Sequence, residues 1–96
     1  MRALKTTMEF DSWMAGLKDR AAVARIRVRL DRLALGNAGQ CRNLVGGVSE
    51  LKVDFGPGYR VYFTERAGEI IILICGGTKQ RQQADIARAI ALAKEI

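Results

Sequence analysis

The stretch ELKVDFGPGYRVYF, residues 50–63, decides the fold. On both sides of Gly56-Pro57-Gly58, apolar residues alternate with polar ones, which is the pattern of an antiparallel hairpin with one buried and one polar face. Treating the Gly-Pro-Gly segment as a three-residue loop pairs Phe55 with Tyr59. A one-residue slip would mix the two faces, so the alternation favours this register.

The polar face of this hairpin carries Lys52, Arg60 and Tyr62 by strand parity. The predicted register puts Asp54 opposite Arg60, and Lys52 opposite Tyr62. We expect these side chains to be exposed, so that substitution of Lys52 or Arg60 leaves the stability of the fold nearly unchanged. The pattern alone fits both a solvated sheet face and a surface that performs chemistry.

Further elements extend from the hairpin in both directions. Upstream, a strand over 2–5 precedes two helices with apolar residues at helical spacing, the second of which ends at Gly36-Asn37. Downstream, the apolar run Ile70–Cys75 predicts a central strand that ends at Gly76-Gly77, and a last helix begins near Thr78. The predicted order is therefore β-α-α-β-β-β-α, a small, mostly antiparallel sheet packed against the two N-terminal helices.

Length and composition agree with this α+β architecture. A chain of 96 residues makes one domain, 1–96, and its 49% hydrophobic and 27% charged residues are ordinary globular values. The longest apolar run is too short for a membrane helix, and the N-terminus has no apolar signal segment, so we expect a cytoplasmic protein. Two cysteines without metal-ligand spacing predict neither a disulfide scaffold nor a metal site, and no motif predicts a cofactor.

The charge indicates the kind of partner. The chain has a net charge of +6 and an isoelectric point near 9.9, which is typical of proteins that bind polyanions. Histidine is absent, so any proton transfer must use Lys, Tyr, Arg or a carboxylate.

Two basic groups outside the hairpin are candidate phosphate contacts. Arg25, Arg29 and Arg32 lie within one narrow arc of the second predicted helix. They form either a solvated helix face or a row of contacts to the phosphates of RNA. Lys79 and Arg81 follow the buried strand and lie near the start of the last helix, where the helix dipole disfavours cations. Cations at an electrostatically unfavourable position, with no visible gain in stability, favour a functional role for these two residues.

These segments together resemble the RelE/ParE toxin superfamily, and within it the HigB-like, phage-associated addiction module killer group. The resemblance covers nearly the whole chain. It is carried by Phe10…Trp13, the helix end at Gly36-Asn37, GVSELKV at 47–53, GPGYRVYF at 56–63 and GGTK…Q…DI at 76–86.

The resemblance implies a toxin of a type II toxin–antitoxin system. Its expected partners are messenger RNA, the ribosome and a cognate antitoxin with a helix-turn-helix domain. Relatives of the RelE kind are endoribonucleases in which the ribose 2′-OH attacks the adjacent phosphate, and this is the expected activity. The alternatives are a non-nucleolytic toxin that poisons DNA gyrase, as in the ParE branch, and an inactive RNA-binding relative.

The resemblance also implies roles for individual residues. Lys52 matches the basic position of the second sheet strand and is the candidate base, and Arg60 matches the arginine of the family's Gly-Tyr-Arg motif. Lys79 matches the cation after the last strand, with Arg81 as a second candidate. RelE has a base-stacking tyrosine where this chain has Asp85-Ile86. The candidates to replace that tyrosine are Tyr62, which we also place among the catalytic residues, and Tyr59, which would bind substrate.

Overall fold

A five-stranded mixed sheet forms the middle layer of the fold, with helices on both faces. The computed structural model describes residues 1–96. The strands lie in the order β1-β5-β4-β3-β2, and all neighbours are antiparallel except β1 and β5, which are parallel. The elements are β1 (Ala3–Thr6), α1 (Met8–Gly16), α2 (Arg20–Ala34), β2 (Cys41–Asn43), β3 (Val48–Val53), β4 (Tyr59–Arg66), β5 (Ile70–Thr78) and α3 (Gln82–Ala93).

The structure confirms the α+β class and adds one strand to the predicted order. The short strand β2 pairs with β3 at one edge of the sheet. Its three residues, Cys41-Arg42-Asn43, are too few to show a period of two, so the sequence pattern could not reveal it.

Two hydrophobic cores hold the three layers together. The larger core lies between the sheet and helices α1 and α2, and it includes Phe10, Ile26 and Leu33. The smaller core lies under α3, where Ala89 packs against Tyr62 of the sheet. The sequence analysis assigned only the two N-terminal helices to the sheet, whereas α3 covers part of the second face.

The predicted hairpin register is wrong by two residues, although its two faces are preserved. Tyr59 pairs with Val53 instead of Phe55, so the connection is the five-residue segment 54–58. Gly56 and Gly58 have φ angles of 56° and 80°, and this left-handed backbone closes the longer loop. Because a shift of two keeps side-chain parity, every residue stays on its predicted face.

The end of β5 also differs from the prediction. The strand does not end at Gly76-Gly77 but continues through both glycines to Thr78. The glycines permit close contacts: a Cβ on Gly76 would lie 2.3 Å from the Trp13 ring, and a Cβ on Gly77 would lie 1.8 Å from Asp85 Oδ2. A 3-10 turn, Lys79–Arg81, then precedes α3, which begins at Gln82 rather than near Thr78.

We predict that Gly76→Ala destabilises the fold by about 1 to 3 kcal/mol, because the new methyl group would overlap the Trp13 ring. Gly16→Ala is the matched control, since nothing lies within 4 Å of its Cβ; we expect it to be neutral or stabilising by up to about 1 kcal/mol. Urea unfolding followed by Trp13 fluorescence measures both. Equal stabilities for the two variants would contradict the close contact.

Candidate functional site

Basic side chains gather at one end of the sheet. Lys52 on β3 lies directly opposite Arg60 on β4, and Arg60 lies opposite Gly77 on β5. Directly opposed residues in a sheet point to the same face, so Lys52 and Arg60 are neighbours there. The predicted pairs of Asp54 with Arg60 and of Lys52 with Tyr62 are not formed, because the register is shifted by two.

Lys79 joins this group through the hairpin loop. Its backbone N–H donates to the carbonyl of Gly58 at 2.7 Å. A Cβ on Gly58 would lie 3.3 Å from Lys79 Cβ and 3.4 Å from Arg60 Nη1, so both residues pack against that glycine. Arg81 follows two residues later and is exposed. We call Lys52, Arg60, Lys79 and Arg81 the basic end of the sheet.

Arg60 is the unusual member of the basic end. The prediction of an exposed side chain is wrong, since Arg60 is only 4% exposed. Its Nη1 donates to the carbonyl of Tyr59 at 3.3 Å, and its Nε has no hydrogen-bond partner. The ion pairs of the fold are Arg2–Glu65, Arg42–Glu50 and Arg88–Glu9, so no cation of the basic end forms an ion pair with a carboxylate. A buried guanidinium without a counter-charge is costly, because arginine stays charged in proteins.

A buried carboxylate lies next to the basic end, on the same face. Glu50 is 4% exposed; it accepts one hydrogen bond from Arg42 Nε at 2.8 Å and another from Gln82 Nε2 at 2.8 Å. Burial would raise the pKa of Glu50, but these two hydrogen bonds and the charge of Arg42 together hold it below its ordinary value. The sequence analysis missed Glu50 and Gln82 as partners, because their contact depends on where α3 docks.

Neither tyrosine is available to stack on a base. Tyr62 is fully buried under α3, and its hydroxyl lies beside the Glu50 carboxylate without reaching good hydrogen-bond geometry. Burial and the charge of Glu50 raise the pKa of the Tyr62 phenol well above its ordinary value. Tyr59 faces the opposite core, where its ring centroid lies 6.4 Å from that of Trp13. The structure therefore does not bring the two tyrosines to the surface at the basic end, because both contribute to hydrophobic cores.

The arginine stripe on α2 does not form three free phosphate contacts. Arg29 donates to the carbonyl of Lys52 at 2.7 Å and also to carbonyls of the loop that follows α2. The Arg25 guanidinium lies over the Phe55 ring, 4.5 Å from its centroid. Arg32 is exposed. Two of the three arginines therefore tie α2 to the end of the hairpin, close to Lys52.

Asp85 is a second carboxylate near the basic end. Its Oδ2 is buried against Gly77 without a hydrogen-bond partner. Burial raises the pKa of this carboxyl, and the nearby Arg81 opposes the rise. No group of three or more His, Cys, Asp or Glu side chains is arranged to hold a metal ion.

The class of protein that these features define is a three-layer α+β domain with an uncompensated cationic site at one end of its sheet. No helix is long and apolar enough to cross a membrane. No protein-family model matches the sequence. The chain is 45% identical over 93 residues to an uncharacterised protein of Haemophilus influenzae, in an alignment that covers 97% of this chain and 94% of that protein. It therefore belongs to the same family as that Haemophilus protein.

We predict that Arg60→Met leaves the free energy of unfolding unchanged or raises it by about 1 to 3 kcal/mol, since it removes an unpaired buried charge. Inorganic phosphate should stabilise the wild-type chain more than the variant, because an anion bound only to the folded state stabilises it. Urea unfolding in phosphate and in sodium chloride of equal ionic strength measures both effects. A variant that is clearly less stable, with the same response to phosphate, would show that Arg60 has only a structural role.

A second prediction concerns the acid side of the stability curve. Because the folded pKa of Glu50 is lowered, its contacts stabilise the fold fully above the ordinary glutamate pKa of about 4.3, and the contribution disappears as the pH falls through the lowered value. Glu50→Gln should therefore cost about 1 kcal/mol at neutral pH and nothing in strong acid. Urea unfolding of both chains across the acid range tests this. A constant difference at every pH would contradict the assignment.

Proposed function

We propose that this chain is the toxin of a type II toxin–antitoxin pair, with a RelE-like fold, and that it cuts messenger RNA on the ribosome. The proposal combines the resemblance of the motifs at 47–53, 56–63 and 76–86 to that superfamily with the character of the basic end. A solvated sheet face would carry exposed, ordinary side chains, whereas the cations here come from two neighbouring strands and from the turn that follows a third.

The single observation that carries the proposal is the unpaired Arg60. Its side chain is buried beside Gly58, against which Lys79 also packs, and it has no carboxylate partner. A phosphodiester supplies the missing negative charge, and an arginine fork is the side chain best suited to bind it. A net charge of +6 further favours association with RNA.

The chemistry assigned to the basic end needs no histidine. Lys52, in its neutral form, takes the proton of the ribose 2′-OH, and the resulting oxyanion attacks the adjacent phosphorus. Arg60 and Lys79 stabilise the negative charge that builds on the phosphate oxygens. The bond to the 5′ oxygen of the next nucleotide breaks, and that oxygen takes a proton from a water molecule, while Lys52 releases to solvent the proton that it accepted. The products are a 2′,3′-cyclic phosphate and a 5′-OH end.

The antitoxin is proposed to neutralise this activity by covering the basic end. An acidic segment would meet cations that no carboxylate of the chain itself pairs with. Complementary charge would also make the association fast.

A second candidate function, binding to DNA gyrase without cleavage, is favoured by one observation. Tyr59 and Tyr62 are both buried, so the basic end presents neither of its predicted aromatic groups to a base. A binding toxin does not need such a group.

We predict that the purified chain cuts messenger RNA on programmed ribosomes, and that Lys52→Ala, Arg60→Lys and Lys79→Ala each reduce the single-turnover rate about a hundredfold or more. A 2′-deoxy nucleotide at the cut site should abolish cleavage without abolishing binding, since the nucleophile is then missing. Primer extension locates the cut.

Lys18→Ala, at the exposed corner between α1 and α2, is the control and should cut at the wild-type rate. A gyrase supercoiling assay runs in parallel. Inhibition of supercoiling without cleavage would establish the second candidate, and inactivity in both assays would refute both candidates. Equal cutting of the deoxy substrate would remove Lys52 from the proposed role.

A further inference from the structure

The 3-10 turn that carries two of the basic-end cations is fastened at both ends. At its start, the backbone N–H of Lys79 donates to the carbonyl of Gly58 at 2.7 Å. Immediately after it, the side chain of Gln82 donates to Glu50 Oε2 at 2.8 Å. The first fastening connects the turn to the hairpin loop, and the second connects it to β3.

The turn has few other contacts to hold it. Lys79, Gln80 and Arg81 are all exposed, and no residue of the turn belongs to either hydrophobic core. No side chain caps the start of α3, so the helix does not fix its own first residue by an N-terminal cap. The bond from Gln82 to Glu50 is therefore the side-chain restraint next to the turn.

Glu50 is itself held from the other side. Arg42 on β2 donates to Oε1, so the carboxylate cannot rotate away from Gln82 without losing an ion pair. Glu50 lies on the same sheet face as Lys52, two residues away on the same strand. One carboxylate thus links the strand that carries Lys52 to the turn that carries Lys79 and Arg81.

We propose that Glu50 is a positioning residue, which sets the distance between Lys79 and the Lys52–Arg60 pair by holding Gln82. It does not touch the substrate and takes no part in proton transfer. The expected effect on RNA binding rests on the proposed function. The hydrogen bonds that hold the turn do not depend on it.

The test compares four variants of the full chain. Glu50→Ala and Gln82→Ala each remove the fastening. Glu50→Gln keeps an oxygen that can accept the bond from Gln82, and Arg42→Ala removes only the outer contact. Hydrogen exchange by NMR at the Lys79 amide reports the position of the turn. Fluorescence anisotropy reports binding of a short, labelled single-stranded RNA of mixed sequence.

We expect Glu50→Ala and Gln82→Ala to speed exchange at the Lys79 amide and to weaken RNA binding about tenfold. Glu50→Gln should stay close to the wild-type chain in both measurements, and Arg42→Ala should change both in the same direction as Glu50→Ala but less, because Gln82 still donates to the carboxylate. In a Lys79→Ala background, Glu50→Ala should have almost no additional effect on RNA binding, because the cation that it positions is already gone.

Three results would overturn the proposal: unchanged exchange at Lys79 in Glu50→Ala and Gln82→Ala, an equal loss of RNA binding with and without Lys79, or no rescue by Glu50→Gln. If Glu50→Ala fails to fold, Gln82→Ala decides alone, since Gln82 is only partly buried. A wild-type chain that neither binds this RNA nor cuts messenger RNA on programmed ribosomes would refute the proposed function, and the exchange data would still decide whether Glu50 holds the turn.

Discussion

The contact of two helices with one pair of glycines is the constraint on which the packing of the three layers depends. Trp13 of α1 packs on Gly76, and Asp85 of α3 packs on Gly77 from the opposite face. Adjacent strand residues point to opposite faces, so two consecutive glycines let both helices approach the same point of β5. Both helices contact the sheet there, immediately before the turn that begins with Lys79.

The basic end has an electrostatic cost for the fold. Lys52 and Arg60 are directly opposed like charges, an arrangement that destabilises a sheet. Burial of Arg60 without a carboxylate adds to this cost. Burial of apolar side chains in the two hydrophobic cores offsets these costs, so the fold tolerates the cluster of cations. Uncompensated costs of this kind are typical of functional sites, where the partner is supplied by a ligand.

Side-chain parity was the part of the fold that the sequence predicted best. Alternation over 50–63 assigned the correct face to each hairpin residue even though the register was wrong by two, because a shift of two does not change parity. The loop length was wrong for a local reason: Phe55 leaves the strand and lies under Arg25, so an apolar residue that continued the alternation is not paired. The glycines at 76 and 77 were interpreted as a stop signal, whereas their role is to admit neighbouring side chains.

Burial of the polar face could not be predicted from the hairpin alone, because a face covered by a helix and a solvated face show the same alternation. The sequence signal for this burial lay in the last helix. The last helix has Ile86 and Ile90 on one side, and the apolar face of the sheet was already assigned to α1 and α2. An apolar helix stripe needs a surface to cover, and the second face of the sheet was the one that remained.

Once α3 covers that face, Glu50 and Tyr62 must be buried, and Glu50 needs the hydrogen bonds that Arg42 and Gln82 provide. Gln82 therefore reaches Glu50 because of where α3 docks, and Arg42 reaches it because β2 pairs with β3.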